Sequence, residues 1–221
     1  MTSRAFQERL LKRARKAGCS VQPAVASQLE RYFSLLAKWN AKINLTAFNL
    51  LEPRDEAFDR LFIEPLVAAQ HLPLSANSVI DIGSGSGSPA IPFKLAAAKV
   101  RLTMVEAKTR KAVFLLEAIR HLGIADAAAV ETARFEQLLT RPELHEAFDV
   151  MTIRAVRVES ATLVTLQAFL KSGGHLLWFQ GSAREVQPNL NVFPLVLSRV
   201  VPLVESSGSR LVILSKQSPA H

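Results

Sequence analysis

The sequence predicts an α/β fold with a mostly parallel sheet, preceded by a helical extension over residues 1–75. Two observations support this prediction. From residue 78 onward, short apolar segments alternate with helical patterns, and a glycine-rich turn follows the first of those segments. A chain of 221 residues with 49% hydrophobic residues is long enough to bury a core without disulfides or metals. We therefore expect two parts, a basic helical extension over residues 1–75 and an α/β domain over residues 76–221.

The extension contains helical periodicity and no strand pattern. One helix is expected before Gly18. A second is expected to open near Ser20 and Pro23, because a capping residue followed by a proline in the first turn is a common start of a helix. Apolar residues then recur at spacings of three and four up to residue 40, and a further helical pattern covers residues 57–69.

The α/β domain shows seven short segments that are apolar on both faces, which is typical of strands in a sheet covered on both sides. Helical patterns separate the first five, so those strands should be parallel. Only a short turn at residues 205–208 separates the last two, which predicts a C-terminal antiparallel hairpin. The expected strands are 78–82, 100–105, 127–130, 148–153, 174–179, 196–203 and 210–214, and the expected helices 89–98, 109–122, 135–139 and 159–170.

Positive charge is concentrated at the N-terminus. The first 50 residues hold nine Lys and Arg against two Glu, 9 − 2 = +7 of the total net charge of +8. This asymmetry favours contact with a polyanion such as RNA, with the group Lys12, Arg13, Arg15 and Lys16 as the expected contact. A solvated helix face and a basic targeting segment are the alternatives.

Several classes of protein are disfavoured by composition. Cys19 is the single cysteine, so the chain has no intramolecular disulfide and no thiolate cluster. The five histidines do not show the spacing of metal ligands, and we expect no metal. No apolar segment approaches the roughly 18 residues that a membrane span requires, and no secretory signal is visible. The sequence therefore predicts a cytoplasmic protein with no membrane segment.

The most informative segment is the glycine-rich turn after the first strand. Asp81, Gly83, Gly85 and Gly87 alternate with other residues, and Ser88 stands where a dinucleotide fingerprint requires its third glycine. The pattern, with an acid two residues before the first glycine, resembles motif I of the class I S-adenosylmethionine-dependent methyltransferases, a Rossmann-like fold. A tight turn that binds nothing is the alternative.

Two further strand ends bear polar side chains. Glu106 follows the second strand, where a carboxylate can accept hydrogen bonds from both hydroxyls of a ribose. This supports an adenosine cofactor without choosing between S-adenosylmethionine and NAD. Arg154 ends the strand at 148–153, where its guanidinium could stack on a base or donate to it. The Asn/Asp-Pro-Pro-aromatic motif of amine methyltransferases is absent, and Cys19 is poorly placed to act as a nucleophile.

The segment from Trp39-Asn40 to Asn44-Leu45-Thr46 resembles the signature of the small-subunit ribosomal RNA methyltransferase G family, also called glucose-inhibited division protein B. The resemblance covers nearly the whole chain. It continues through Arg60 and Glu64, the glycine-rich turn, residues 110–115, residues 134–136 and residues 153–155.

The resemblance implies methyl transfer from S-adenosylmethionine to N7 of a guanosine in the 530 loop of 16S rRNA. The partner would be naked 16S rRNA or the assembling 30S subunit, and we expect a monomer. The catalytic group would be Arg60, Glu64 and Arg154, with Arg60 and Glu64 meeting RNA or shaping the pocket. The expected cofactor contacts, including the two motif I positions Asp81 and Gly85, are Asp81, Gly83, Gly85, Ser88, Glu106, Phe135, Glu136 and Arg154.

Four positions depart from the family pattern. Leu61 replaces a usual His, Glu64 a usual Asp, Gln180 a usual Lys, and Ser88 a usual apolar residue. Three alternatives to the methyltransferase therefore stay open: a non-catalytic RNA-binding relative that still binds the cofactor, a small-molecule methyltransferase, and an NAD-dependent oxidoreductase.

Overall fold

The computed structural model describes residues 1–154, 159–181 and 192–218. Ala155, the last residue of the segment 153–155, lies outside the described residues. A single seven-stranded sheet forms the centre of the fold. Its strands are β1 (Ser78–Ile82), β2 (Arg101–Val105), β3 (Ala128–Glu131), β4 (Phe148–Arg154), β5 (Leu170–Gln180), β6 (Leu195–Val204) and β7 (Ser209–Lys216).

The strand order is β3-β2-β1-β4-β5-β7-β6. Strands β1 to β5 pair in parallel, whereas β7 pairs antiparallel with both β5 and β6. The predicted parallel sheet and C-terminal antiparallel hairpin are therefore confirmed. Because the chain runs outward from β1 to β3 and then returns to β4, the order reverses between β1 and β4. Open α/β sheets bind ligands at the carboxyl end of such a switch point.

Eight α-helices surround the sheet in the described residues. A π-helical turn, Asp59–Ile63, joins the third helix to the fourth. The helices are α1 (Ser3–Lys16), α2 (Pro23–Asn40), α3 (Asp55–Phe58), α4 (Glu64–Ala69), α5 (Ala90–Ala96), α6 (Thr109–His121), α7 (Phe135–Leu138) and α8 (Ser160–Leu166).

Two predicted helix boundaries are wrong. Helix α2 begins at Pro23, and the residue before it, Gln22, makes no side-chain capping bond, so Ser20 is not its cap. The helix expected over residues 159–170 ends as an α-helix at Leu166. Leu170 belongs to β5 because its backbone pairs with Phe148 of β4.

The extension packs against one face of the sheet and shares its hydrophobic core. Phe6 of α1 lies between Phe33 of α2 and Phe58 and Phe62 of the third helical segment, with ring centroids 5.2–5.5 Å from its own. A separate cluster, which includes Leu163 and Leu166 of α8, covers the opposite face. Burial of these apolar surfaces fixes the extension on the sheet.

The arginines of α1 are partly neutralised within the fold. Arg13 makes a bidentate ion pair with Asp59, which is 3% exposed, and a further pair with Asp55. Arg9 pairs with Asp55 at 2.6 Å. The expectation that Arg13 is free to contact a polyanion is therefore wrong, because a buried carboxylate such as Asp59 needs a counter-charge.

Two searches of the described residues bear on the sequence-based exclusions. No helix there combines the length and apolar character needed to cross a bilayer. No group of three or more His, Cys, Asp or Glu side chains in those ranges is arranged to hold a metal ion.

Candidate active site

The glycine-rich loop connects β1 to α5 at the carboxyl edge of the sheet. The backbones of Gly83, Gly85 and Gly87 have φ angles of +74°, +51° and +84°, which L side chains rarely adopt. The amides of Gly83 and Ser84 both donate to the Val105 carbonyl, at 2.9 and 3.0 Å. These bonds hold the loop against the end of β2, where its backbone can approach a ligand closely.

Helix α2 clamps this loop from the extension. The Tyr32 hydroxyl donates to the Ser86 carbonyl at 2.6 Å, and burial raises the pKa of Tyr32. A Cβ atom added at Gly87 would lie 2.7 Å from Cδ1 of Ile91 and 3.2 Å from the Tyr32 hydroxyl. The sequence analysis missed Tyr32, whose signal was its position in the apolar stripe of α2.

A Gly87→Ala substitution should destabilise the fold by about 1–3 kcal/mol more than Gly18→Ala does, because the added methyl overpacks the loop. Gly18 is a matched control, since its φ is +68° and nothing lies within 4 Å of the position of its Cβ. Chemical denaturation of both variants measures the difference. Equal destabilisation would show that the contact with Tyr32 and Ile91 does not constrain the loop.

Asp81 lies at the switch point between β1 and β4. The side chain is 1% exposed, and its Oδ1 accepts from the Thr152 hydroxyl at 2.5 Å, on the residue opposite it in β4. Among the described residues Oδ2 has no hydrogen-bond partner. Burial raises the pKa of Asp81. An unpartnered carboxylate oxygen in this position is suited to a cationic ligand group.

Glu106 links the loop to the start of α6. It is 7% exposed, with Oε2 accepting from the Gly85 amide and Oε1 from the Lys108 amide, both at 2.8 Å. Each carboxylate oxygen has a second lone pair, so Glu106 can still accept from a ribose diol.

Arg154 forms a charged cluster with Glu64 and Arg60. Its Nη2 lies 2.9 Å from Oε2 of Glu64, and Nη1 of Arg60 lies 3.3 Å from Oε1 of the same carboxylate. Glu64 is fully buried, so it serves both guanidinium groups away from solvent. Burial lowers the pKa of Arg154 to about 10, which leaves it charged at neutral pH.

The remaining contacts of Arg154 fix its orientation. Its guanidinium carbon lies 4.4 Å from the centroid of the Phe179 ring, and Nη1 donates to the Arg60 carbonyl. Its Nε is buried and has no partner among the described residues. Stacking of Arg154 on a base stays a prediction, because Phe179 already lies against the guanidinium.

The positions that depart from the family pattern differ in their surroundings. Ser88 donates to the Leu61 carbonyl at 2.9 Å, so this loop residue is tied to the π-helical turn. The Leu61 side chain is 4% exposed and belongs to the core. Gln180 is 5% exposed, and its Oε1 has no partner in the described ranges. Glu64 retains a carboxylate between two arginines.

Two clefts open at this edge and share Gly83 in their walls. The first, of about 310 Å³, is lined by residues that include Thr46, Arg60, Ser88, Lys111 and Arg154. The second, of about 490 Å³, is lined by residues that include Lys108, Phe135 and Glu136. The structure thus gathers every site residue that the sequence predicts at one edge of the sheet. Thr152, Phe179 and Lys111 were not predicted.

Comparison with known proteins decides the family. The profile of the family described as rRNA small subunit methyltransferase G matches residues 25–207. The chain belongs to this methyltransferase family. The match begins inside α2 of the extension and ends in the β6–β7 turn, so it includes the loop, both clefts and the Arg60–Glu64–Arg154 cluster.

Individual relatives agree with the membership of the methyltransferase G family. The ribosomal RNA small subunit methyltransferase G of Leuconostoc mesenteroides is 33% identical over 186 residues, covering 83% of this chain and 74% of the relative. The protein of the same name from Streptococcus thermophilus is 29% identical over 213 residues, covering 92% and 88%.

The fold also matches solved structures of methyltransferases. An SAM-dependent methyltransferase from Aquifex aeolicus superposes with a TM-score of 0.52 at 15% identity, covering 70% of this chain and 90% of that one. This likeness shows the Rossmann-like fold of class I methyltransferases, as the glycine-rich motif predicted.

Proposed function

We propose that this member of the methyltransferase G family transfers a methyl group from S-adenosylmethionine to N7 of a guanosine in the 530 loop of 16S rRNA. One observation supports it above all. At the switch point, Asp81 and Arg154 each present a buried polar atom without a partner among the described residues, one anionic and one cationic. A zwitterionic ligand end matches such a pair.

The amino-acid end of S-adenosylmethionine provides that zwitterion. Oδ2 of Asp81 can accept from its α-ammonium, and Nε of Arg154 can donate to its α-carboxylate. Both atoms are buried beside the glycine-rich loop, where a ligand would replace the solvation they lack.

The second cleft suits the adenosine end. Glu106 can accept from the ribose hydroxyls, and Phe135 provides an aromatic wall for the adenine, with Glu136 and the Gly83 backbone beside it. Because Gly83 lines both clefts, one molecule can extend from the second cleft to Asp81. An NAD-dependent oxidoreductase is not supported by this membership of a methyltransferase family.

The reaction asks the protein for alignment and not for a base. Bound S-adenosylmethionine supplies an activated methyl group on a sulfonium. N7 of guanine has a free lone pair and no proton at neutral pH, so no side chain has to remove one. Arg60 and Arg154, held by the buried Glu64, can position the guanosine for in-line attack.

We further propose a division of labour. Residues 76–221 bind the cofactor, and residues 1–75 shape the side of the first cleft that faces RNA, since Thr46 and Arg60 line it. The preference of the family for a single-stranded loop is consistent with this cleft, because an unpaired guanosine leaves its stack at low cost.

Tritiated S-adenosylmethionine tests the proposal with two substrates, naked 16S rRNA and 30S subunits, both from cells that lack this methylation. We expect label in at least one of them, and cofactor binding measured by calorimetry in the absence of RNA. Cofactor binding with no label in either substrate would contradict the assignment and favour a non-catalytic RNA-binding relative. No cofactor binding would contradict the site itself.

A further inference from the structure

Helices α2 and α6 run antiparallel along the edge of the fold. Gln28 donates to the Leu122 carbonyl at 3.3 Å near the start of α2 and the end of α6. Farther along, the Trp39 and Phe114 ring centroids are 5.9 Å apart. The end of α2 therefore lies beside the beginning of α6, and α6 begins at the carboxyl edge of β2.

Five cations converge where α2 ends and α6 begins, and we name them the seam surface. Lys38, Lys42, Lys108 and Arg110 are exposed, and Lys111 is half-buried. Residues 34–51 and 107–116 contain no Asp or Glu. None of the five cations forms an ion pair with the described residues. Their charge is therefore available to an external anion.

The arginines of α1 provide the contrast. Arg4, Arg9 and Arg13 of that helix pair with Glu8, Asp55 and Asp59. The N-terminal charge excess that the sequence shows is thus partly cancelled inside the fold, whereas the charge of the seam surface is not.

The seam surface borders both clefts. Lys111 lines the first cleft, and its Nζ lies 4.0 Å from the position a Cβ would take on Gly85. Lys108 lines the second cleft. A chain of phosphates passing over the seam surface would therefore reach the site where Asp81 and Arg154 lie.

We propose that the seam surface binds the phosphodiester backbone of the RNA on either side of the methylated nucleotide. This inference rests on the proposed function and names the face of the protein that holds the substrate. Backbone phosphates fit five unpaired cations spread along a surface, because each cation can contact a separate phosphate. Helix α1 then has a secondary part in RNA binding, contrary to what the charge pattern alone predicts.

Two triple variants with equal loss of charge test the inference. Lys38→Gln/Lys42→Gln/Arg110→Gln removes three cations of the seam surface that do not line a cleft. Lys12→Gln/Arg15→Gln/Lys16→Gln removes three exposed cations from α1 and is the matched control. RNA affinity is measured for a 530-loop fragment across a series of salt concentrations, and cofactor affinity is measured by calorimetry.

We expect the seam variant to bind RNA more weakly, with its salt slope reduced by about 2 for three lost phosphate contacts to single-stranded RNA. Its cofactor affinity should match wild type, and the α1 variant should keep most of the slope. An unchanged slope in the seam variant, or an equal reduction in both variants, would overturn the inference. The proposed function fails separately, when wild-type protein transfers no label to rRNA.

Discussion

Replacing Glu64 with glutamine should lower the free energy of unfolding by about 3–5 kcal/mol, because it leaves a buried arginine without its counter-charge. Glu64 is fully buried, and the Arg154 side chain that it pairs with is 10% exposed. Arg60 loses the same partner. Methyl transfer should fall as well, since both guanidinium groups then lose their fixed orientation. Denaturant titration and the label assay measure the two effects.

Two variants accompany this measurement. Glu64→Asp keeps the charge and restores the residue more usual in the family, so it should retain most of the stability. Glu8→Gln breaks an exposed pair with Arg4 and should leave stability almost unchanged. If Glu64→Gln were as stable as Glu8→Gln, the cluster would not hold Arg154 in place.

Replacing Asp81 with asparagine should weaken S-adenosylmethionine binding by about 10- to 100-fold, the value of a hydrogen bond between charged groups. The amide can keep the bond from Thr152 through Oδ1, but it cannot offer an anionic oxygen to the α-ammonium. Calorimetry measures the affinity. Wild-type affinity in this variant would contradict the assignment of Asp81 to the amino-acid end of the cofactor.

The pH dependence of the same variant has a definite sign. Burial raises the pKa of Asp81 in the folded state, so its contribution to stability is present at low pH and is lost as pH rises through that pKa. Asp81→Asn should therefore be at least as stable as wild type at neutral pH. Cofactor affinity of wild type should rise with pH through the same range, and the variant should lack this rise. A loss of stability at neutral pH would indicate a structural role for the charge.

Much of the fold could be predicted from the sequence because its signals are local. Apolar strands, crossover helices and a short final turn specify a parallel sheet that ends in a hairpin. The same holds for Asp81, Gly83 and Glu106, since strand ends of a parallel sheet meet at one edge. The boundary at Leu170 was missed because a pairing with Phe148, distant in sequence, decides it.

Long-range contacts explain what could not be predicted. The role of Tyr32 depends on how the extension docks on the loop, and helical periodicity shows only that Tyr32 is apolar-facing. Arg13 has the appearance of a free cation until Asp59, 46 residues later, is placed against it. Charge counted along the sequence cannot tell a neutralised arginine from an available one.

Mapping the methylated nucleotide tests the central claim most directly. 16S rRNA and 30S subunits from cells lacking the modification are incubated with the protein and tritiated S-adenosylmethionine, and the RNA is then cleaved chemically at N7-methylguanosine. The account predicts label on one guanosine of the 530 loop, with cleavage at that position. Label on another atom or another region of the RNA, or on no nucleotide while the cofactor binds, would contradict it.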